Sequence, residues 1–445
     1  MHRENERILF IVYKVLVMFK SFFKAKLLAM GLVLMICIPM QAQTASSDSL
    51  HKRLTLGGYG EAVMSRMFYS NNYKRYTNAD LYKNDDGFGQ FDLPHVVIYI
   101  GYDFGHGWSM GSEIEFEHGG TESAVEIEEE ETGEYETETE RGGEVALEQF
   151  WIQKRFSRAL NLRMGHIIVP VGATNQHHMP TEFFTVYRSE GESTILPCTW
   201  HQTGVSLWGK VSDWRYELQF LAGLEADLFD AKNWVNGGSA SPYEFDIANA
   251  YAVAGRLDNY SVPGLRMAMS GYYGKTAINS LKQYKYDELE GNLLIGAFDF
   301  HYDAHNWVVR GNFDYGHLSD SEKITKANKE LGKNSVSPQT SVASDAIAVG
   351  AEAGYDIFSQ ITKMRNRNQK MYLFARYDYY DSMYKTQGSV VDNPCWGRQK
   401  MTFGVNYKPI EQIVIKGEWS KRLLKSRFND EPTLSLGVAY SGFFR

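Results

Sequence analysis

The sequence predicts an all-β fold, a transmembrane antiparallel β-barrel of about sixteen strands with an inward-folded third long loop. Three observations carry that expectation. Segments of about ten residues alternate apolar and charged side chains. The connections between them alternate short and long. After the N-terminal region no run of about 18 apolar residues occurs, so no helix is expected to cross a bilayer. Composition agrees, because 14% aromatics, 40 Gly and only 11 Pro favour long strands with aromatic belts. A net charge of −8 excludes a broadly basic surface seeking nucleic acid.

Residues 1–42 read as a secretory signal. Lys20, Lys24 and Lys26 form a basic start, Leu27 to Met40 an apolar stretch, and Ala42 a small residue at the cleavage point. Met18 is an alternative start. Residues 43–53 then form a short periplasmic segment, and 54–445 a single barrel domain in the outer membrane of a Gram-negative bacterium. Beyond the signal only Cys198 and Cys395 remain, in segments expected to lie far apart around a barrel, which disfavours a bridge.

The alternation is clearest in four stretches. Trp108, Met110, Ile114 and Phe116 oppose Ser109, Glu113, Glu115 and Glu117; Trp307, Val309, Phe313 and Tyr315 oppose Arg310, Asn312 and Asp314. Met371, Leu373, Tyr377 and Tyr379 oppose Arg376, Asp378 and Tyr380; Ile413, Ile415 and Trp419 oppose Lys416, Glu418 and Arg422. A polar face carrying both signs of charge suits a wet interior, and the aromatic face suits lipid. Strands are expected near 54–68, 93–104, 107–118, 145–156, 160–170, 202–211, 213–225, 248–257, 263–274, 290–302, 305–317, 345–358, 370–382, 398–408, 411–422 and 433–444. Short turns, such as Ser212 and Ala304, should be periplasmic, and the long loops 69–92, 119–144, 171–201, 226–247 and 318–344 extracellular.

Two loops stand out. Glu122 to Glu144 holds eleven Glu and reads as a disordered, solvated tip without ordered metal-ligand spacing. Gly172 to Thr199 holds His177, His178, Glu182, Arg188 and Glu190, the residues expected to line a constriction in the pore. Adjacent His rings on extended backbone point apart, which disfavours a two-ligand metal site. Along the wall, Arg256, Arg266, Arg310, Arg376, Lys416, Glu113 and Glu115 should face the lumen. Counted over every strand, that face carries nine basic and twelve acidic residues, a mixed surface. No nucleophile elbow, phosphate loop, His-Glu-x-x-His helix or Cys-x-x-Cys pair occurs, so no enzyme activity, cofactor or metal is expected.

Leu162-Arg163-Met164-Gly165-His166 followed by Val169-Pro170-Val171-Gly172 resembles a strand of the phosphate-selective porins of the O and P type. His177-His178-Met179-Pro180, Tyr187-Arg188, Leu196-Pro197-Cys198-Thr199-Trp200, Thr203-Gly204-Val205 and Gly58-Tyr59-Gly60-Glu61 resemble further parts of that family. The resemblance implies a sixteen-stranded, trimeric outer-membrane porin whose third long loop narrows the channel. The expected function is passive or weakly selective diffusion of small hydrophilic solutes or ions, with phosphate or other anions as candidates. Outer-membrane lipids and lipopolysaccharide would surround it. The alternative is a non-channel structural or adhesive barrel with partner-binding extracellular loops.

Overall fold

The computed structural model describes residues 53–123, 126–129, 135–138, 141–240, 247–280, 283–286, 289–332, 335–425 and 427–444. The expected signal, residues 1–42, lies outside them, as does nearly all of 43–53.

Sixteen wall strands run in order around the barrel. They are β1 (Leu54–Met67), β2 (His95–Gly105), β3 (Trp108–Ser123), β4 (Arg141–Arg155), β5 (Asn161–Ile168), β6 (His201–Val211), β7 (Trp214–Ala222) and β8 (Tyr251–Val262). The second half is β9 (Leu265–Lys275), β10 (Asn292–Ala304), β11 (Trp307–Leu318), β12 (Asp345–Asp356), β13 (Lys370–Lys385), β14 (Gly397–Ile410), β15 (Ile413–Leu423) and β16 (Glu431–Phe444). Each pairs antiparallel with the next. β16 returns to β1, with Leu56 opposite Phe444 and Met67 opposite Thr433, so the wall closes. Closure removes the unpaired strand edges that lipid would not tolerate.

The wall is apolar outside and charged inside, the reverse of a water-soluble core. Met269, Leu218, Phe220, Phe313, Phe403 and Leu436 project outward and exposed. Lys416, Glu115, Arg256 and Asp314 are buried on the inner face. At one end of the barrel the connections are short and rely on positive φ: Ser212 at 50°, Gly264 at 77°, and His305 and Asn306 at 55° and 65°. The connection from β12 to β13 is longer and holds the short helix Thr362–Arg365.

At the other end the connections are long, and they share an apolar cluster that the sequence did not announce. Trp200, Leu224, Phe229, Trp234, Ile324, Val342 and Cys395 are fully buried together there. The Trp234 Nε1 donates to the carbonyl of Ala343 at 3.0 Å. Cys198 and Cys395 are both free thiols. Within the acidic run, Glu126–Glu129 pairs antiparallel with Tyr135–Glu138. That part is a hairpin instead of the structureless tip expected, because alternating Thr, Ile and Tyr among the Glu residues suit extended backbone.

One register slip redirects two side chains into the lumen. On β4, Gln149 pairs with Glu113 and Leu147 with Ile114, leaving Glu148 as an extra residue. Val145 and Leu147 face out before this bulge, and Phe150 and Ile152 face out after it. Glu148 and Gln149 therefore both turn inward, which only a bulge allows.

Candidate functional site: the lumen and its inserted loop

β5 is short, and the chain after it, residues 169–200, leaves the wall and crosses the lumen. Its first anchor is on β8 and β9: the Arg256 guanidinium donates to the Gly172 carbonyl at 2.9 Å, and the Gly172 N–H donates to Ser270 Oγ at 3.1 Å. It then reaches the far wall. Thr181 Oγ1 lies 2.6 Å from Ser441 Oγ, Lys408 Nζ donates to the Thr181 carbonyl at 3.1 Å, and Lys416 Nζ donates to the Thr185 carbonyl at 2.7 Å. The Val186 N–H donates to Glu418 at 2.7 Å. Phe184 buries its ring against Phe374 and Tyr372, with centroids at 5.3 and 5.2 Å, and Arg310 lies 4.9 Å above it. The helix Glu190–Ile195 turns the loop back toward β6.

The expected constriction residues separate onto two sides of this loop. His177 lies 3.4 Å from Glu182 and faces the ring of His301 at 6.1 Å. Both line a cavity of about 50 Å³ with Arg266, Arg310, Glu352 and Arg376. Arg266 and Arg310 lie near the starts of β9 and β11, so this cavity opens toward the short-turn end. His178 points the other way: its ring meets Tyr59 on β1 at 5.8 Å, and its Nδ1 lies 3.2 Å from the Asn175 carbonyl.

Arg188 and Glu190 line a larger cavity of about 390 Å³ with Glu61, Lys232, Arg398, Lys400 and Arg422, toward the long-loop end. Glu190 binds Lys400 at 2.8 Å and also accepts from Arg422 and Tyr380. Burial alone would push the Glu190 carboxyl up, but Arg422 and Lys400 outweigh it and hold the group well below the usual carboxylate range. Arg188 donates from Nε to the His178 carbonyl at 3.3 Å, and its Nη2 has no hydrogen-bond partner.

The wall residues do not form an open mixed surface. Arg256 pairs with Asp258 and Asp299, each at 2.9 Å; Arg266 pairs with the same two at 3.1 and 2.6 Å. Arg310 meets Glu352 at 2.5 Å, and Arg376 meets Glu352 at 3.3 Å and Asp378 at 2.7 Å. Lys416 also lies 4.0 Å from the Phe183 ring. Glu115 binds His95 at 2.7 Å, and Glu113 accepts from Gln149. A buried charge is tolerated when paired and hydrogen-bonded, and these groups mostly neutralise one another. Sequence reasoning missed Glu148, His95 and Arg398. The break in alternation at Glu148-Gln149 was a readable signal for the first.

The architecture is a closed sixteen-stranded antiparallel barrel with a loop folded into its lumen. Among solved structures, OmpF of Salmonella typhi in complex with daunomycin has the same fold at TM-score 0.53 and 12% identity, over 90% of this chain and 100% of that one. An anion-selective porin from Comamonas acidovorans matches at TM-score 0.50 and 9% identity, over 87% of this chain and 99% of that one. An uncharacterised protein of Aquifex aeolicus is 26% identical over 400 residues, spanning 85% of this chain and 78% of its own. No protein-family model matches the chain.

Proposed function

We propose that this chain is an outer-membrane porin, a trimeric diffusion channel for small hydrophilic solutes that takes anions more readily than cations. The observation that carries the reading is the inserted loop. It crosses a polar interior and is fastened to the opposite wall at Thr181, Thr185 and Val186, which is how a wide barrel is narrowed without being filled. Arg188, Arg398, Lys400 and Arg422 on its long-loop side, set against Glu61 and Glu190, supply the anion bias. The neighbouring porin described as anion-selective fits that bias. In this reading the short turns are periplasmic and residues 1–42 are removed on export.

The bias should be weak, because Lys400 and Arg422 are already paired with Glu190. Planar-bilayer recording across a KCl gradient tests it. The expected result is ohmic conductance, a small reversal potential on the anion side, and a shift toward cations in Arg188→Ala. Strong anion selectivity with chloride current blocked by micromolar phosphate would instead restore the phosphate-specific function that the sequence resemblance implies. A second reading, a structural or adhesive barrel, draws on the deep burial of Asp314, Glu352 and Lys416 inside the lumen. Purified barrels that insert into bilayers without conducting would establish it.

A further inference from the structure

Where the inserted loop passes β3 and β4, three potential metal ligands converge from separate elements. Glu113 comes from β3, Glu148 from the bulge on β4, and His178 from the loop, with ligand atoms all within 4.8 Å of one another. Glu148 is fully buried; its Oε2 accepts from the Tyr59 hydroxyl at 3.3 Å, and its Oε1 has no partner in hydrogen-bond geometry, although the Thr199 hydroxyl also acts on this carboxylate. A buried carboxylate oxygen without a partner is costly, and the bulge aims it here. The His178 Nδ1 faces the Asn175 carbonyl, which accepts and so requires the proton on Nδ1. That hydrogen bond leaves Nε2 with its lone pair. A backbone carbonyl fixing the tautomer of a ligating imidazole is a recurrent arrangement around protein metal ions.

A second His and carboxylate group nearby makes the contrast. There His95 Nδ1 is itself 2.7 Å from Glu115 and 3.9 Å from Glu117, so the ring and the carboxylates satisfy each other. Arg188 acts on Glu148 across space and opposes a cation, which weakens binding but leaves the donor set intact. Two carboxylates and one imidazole suit a first-row divalent ion such as Zn²⁺ better than Ca²⁺ or Mg²⁺, which take oxygen ligands.

We propose that Glu113, Glu148 and His178 bind a divalent transition-metal ion that fastens the inserted loop to the β3–β4 wall. With three protein ligands, the fourth position is left for water. Because His178 is the only ligand on the loop, metal occupancy should restrain the loop.

Equilibrium dialysis of the full chain in detergent against Zn²⁺ tests this directly, with Ca²⁺ and Mg²⁺ as comparison ions and EDTA to strip the protein first. One Zn²⁺ per chain is expected at micromolar free zinc. Glu148→Gln and His178→Gln should each weaken binding about tenfold or more, and His166→Gln should leave it unchanged. Absence of stoichiometric Zn²⁺ in the wild-type chain overturns the proposal, and so does loss of binding that follows His166 instead of His178. The wild-type measurement decides even where a variant fails to fold, and circular dichroism of each variant separates the two outcomes. Binding is read without conductance, so a barrel that does not conduct leaves this test intact. In a conducting barrel, adding Zn²⁺ should reduce current noise in the wild type and not in His178→Gln.

Discussion

Gly354 on β12 is the seat of Phe184, and replacing it with Ala should loosen the inserted loop while sparing the wall. A Cβ built at Gly354 lies 2.4 Å from Phe184 Cζ and 2.5 Å from Cε2, so the ring must move about an ångström to regain ordinary contact. Overpacking of this kind costs about 1–3 kcal/mol, and removing the ring altogether in Phe184→Ala about 3–5 kcal/mol. The loss falls on the loop, because Phe184 packs against Val308, Tyr372 and Phe374 as a separate cluster and takes no part in strand pairing. The contacts of Thr185 with Lys416 and Val186 with Glu418 remain, so the loop should fluctuate instead of detaching. Single-channel recording should then show more current noise and larger, variable conductance for both variants. In the double variant Gly354→Ala should add almost nothing, since the clash disappears with the ring. Wild-type noise in Gly354→Ala, or a full second effect on top of Phe184→Ala, would refute the assignment of Gly354 as the seat.

Phe313→Arg, at an exposed mid-strand position on β11, should cost about 2–4 kcal/mol in a lipid environment, measured as a lower unfolding midpoint in vesicles; a midpoint equal to wild type would mean that this face does not meet lipid. Burial raises the Glu192 carboxyl to about 7, with Asp299 adding to it and the Thr174 N–H opposing it. Its folded value thus exceeds its unfolded one, and the protonated group's contribution, at most a few kcal/mol, is lost as pH rises through about 7. Current noise should increase from pH 6 to pH 8.5 in wild type and stay flat in Glu192→Gln. Val391, exposed in the loop after β13, should as Val391→Cys react with an impermeant maleimide on intact cells above the wild-type background. Labelling only after permeabilisation would reverse the orientation.

Strand order was legible because lipid outside and charge inside impose a period of two on every strand, and all sixteen strands fall where the alternation puts them. The pairing of the charges was partly legible too. Arg310 is the register partner of Glu352, and Glu352 of Arg376, which counting outward from the turns would have given. The anchors of the inserted loop were not. Glu190 meets Lys400 and Arg422 across more than 200 residues, and no local pattern encodes which far strand a loop will reach. The apolar cluster among the long loops was hidden for a related reason: Trp200, Trp234 and Val342 lie in irregular segments where no periodicity marks a buried side.

That cluster divides the long-loop end of the molecule into two kinds of surface. Trp234, Phe229 and Ile324 are interlocked, so a deletion in any of their loops opens a cavity shared by the others and costs stability well beyond the deleted residues. Among the described residues, Glu126–Glu129 and Tyr135–Glu138 of the acidic run form a two-stranded sheet apart from the wall. Changes at that hairpin can therefore accumulate without disturbing the loops that share the apolar cluster. The long-loop end thus joins a replaceable hairpin to loops that stay under the constraint of a packed core.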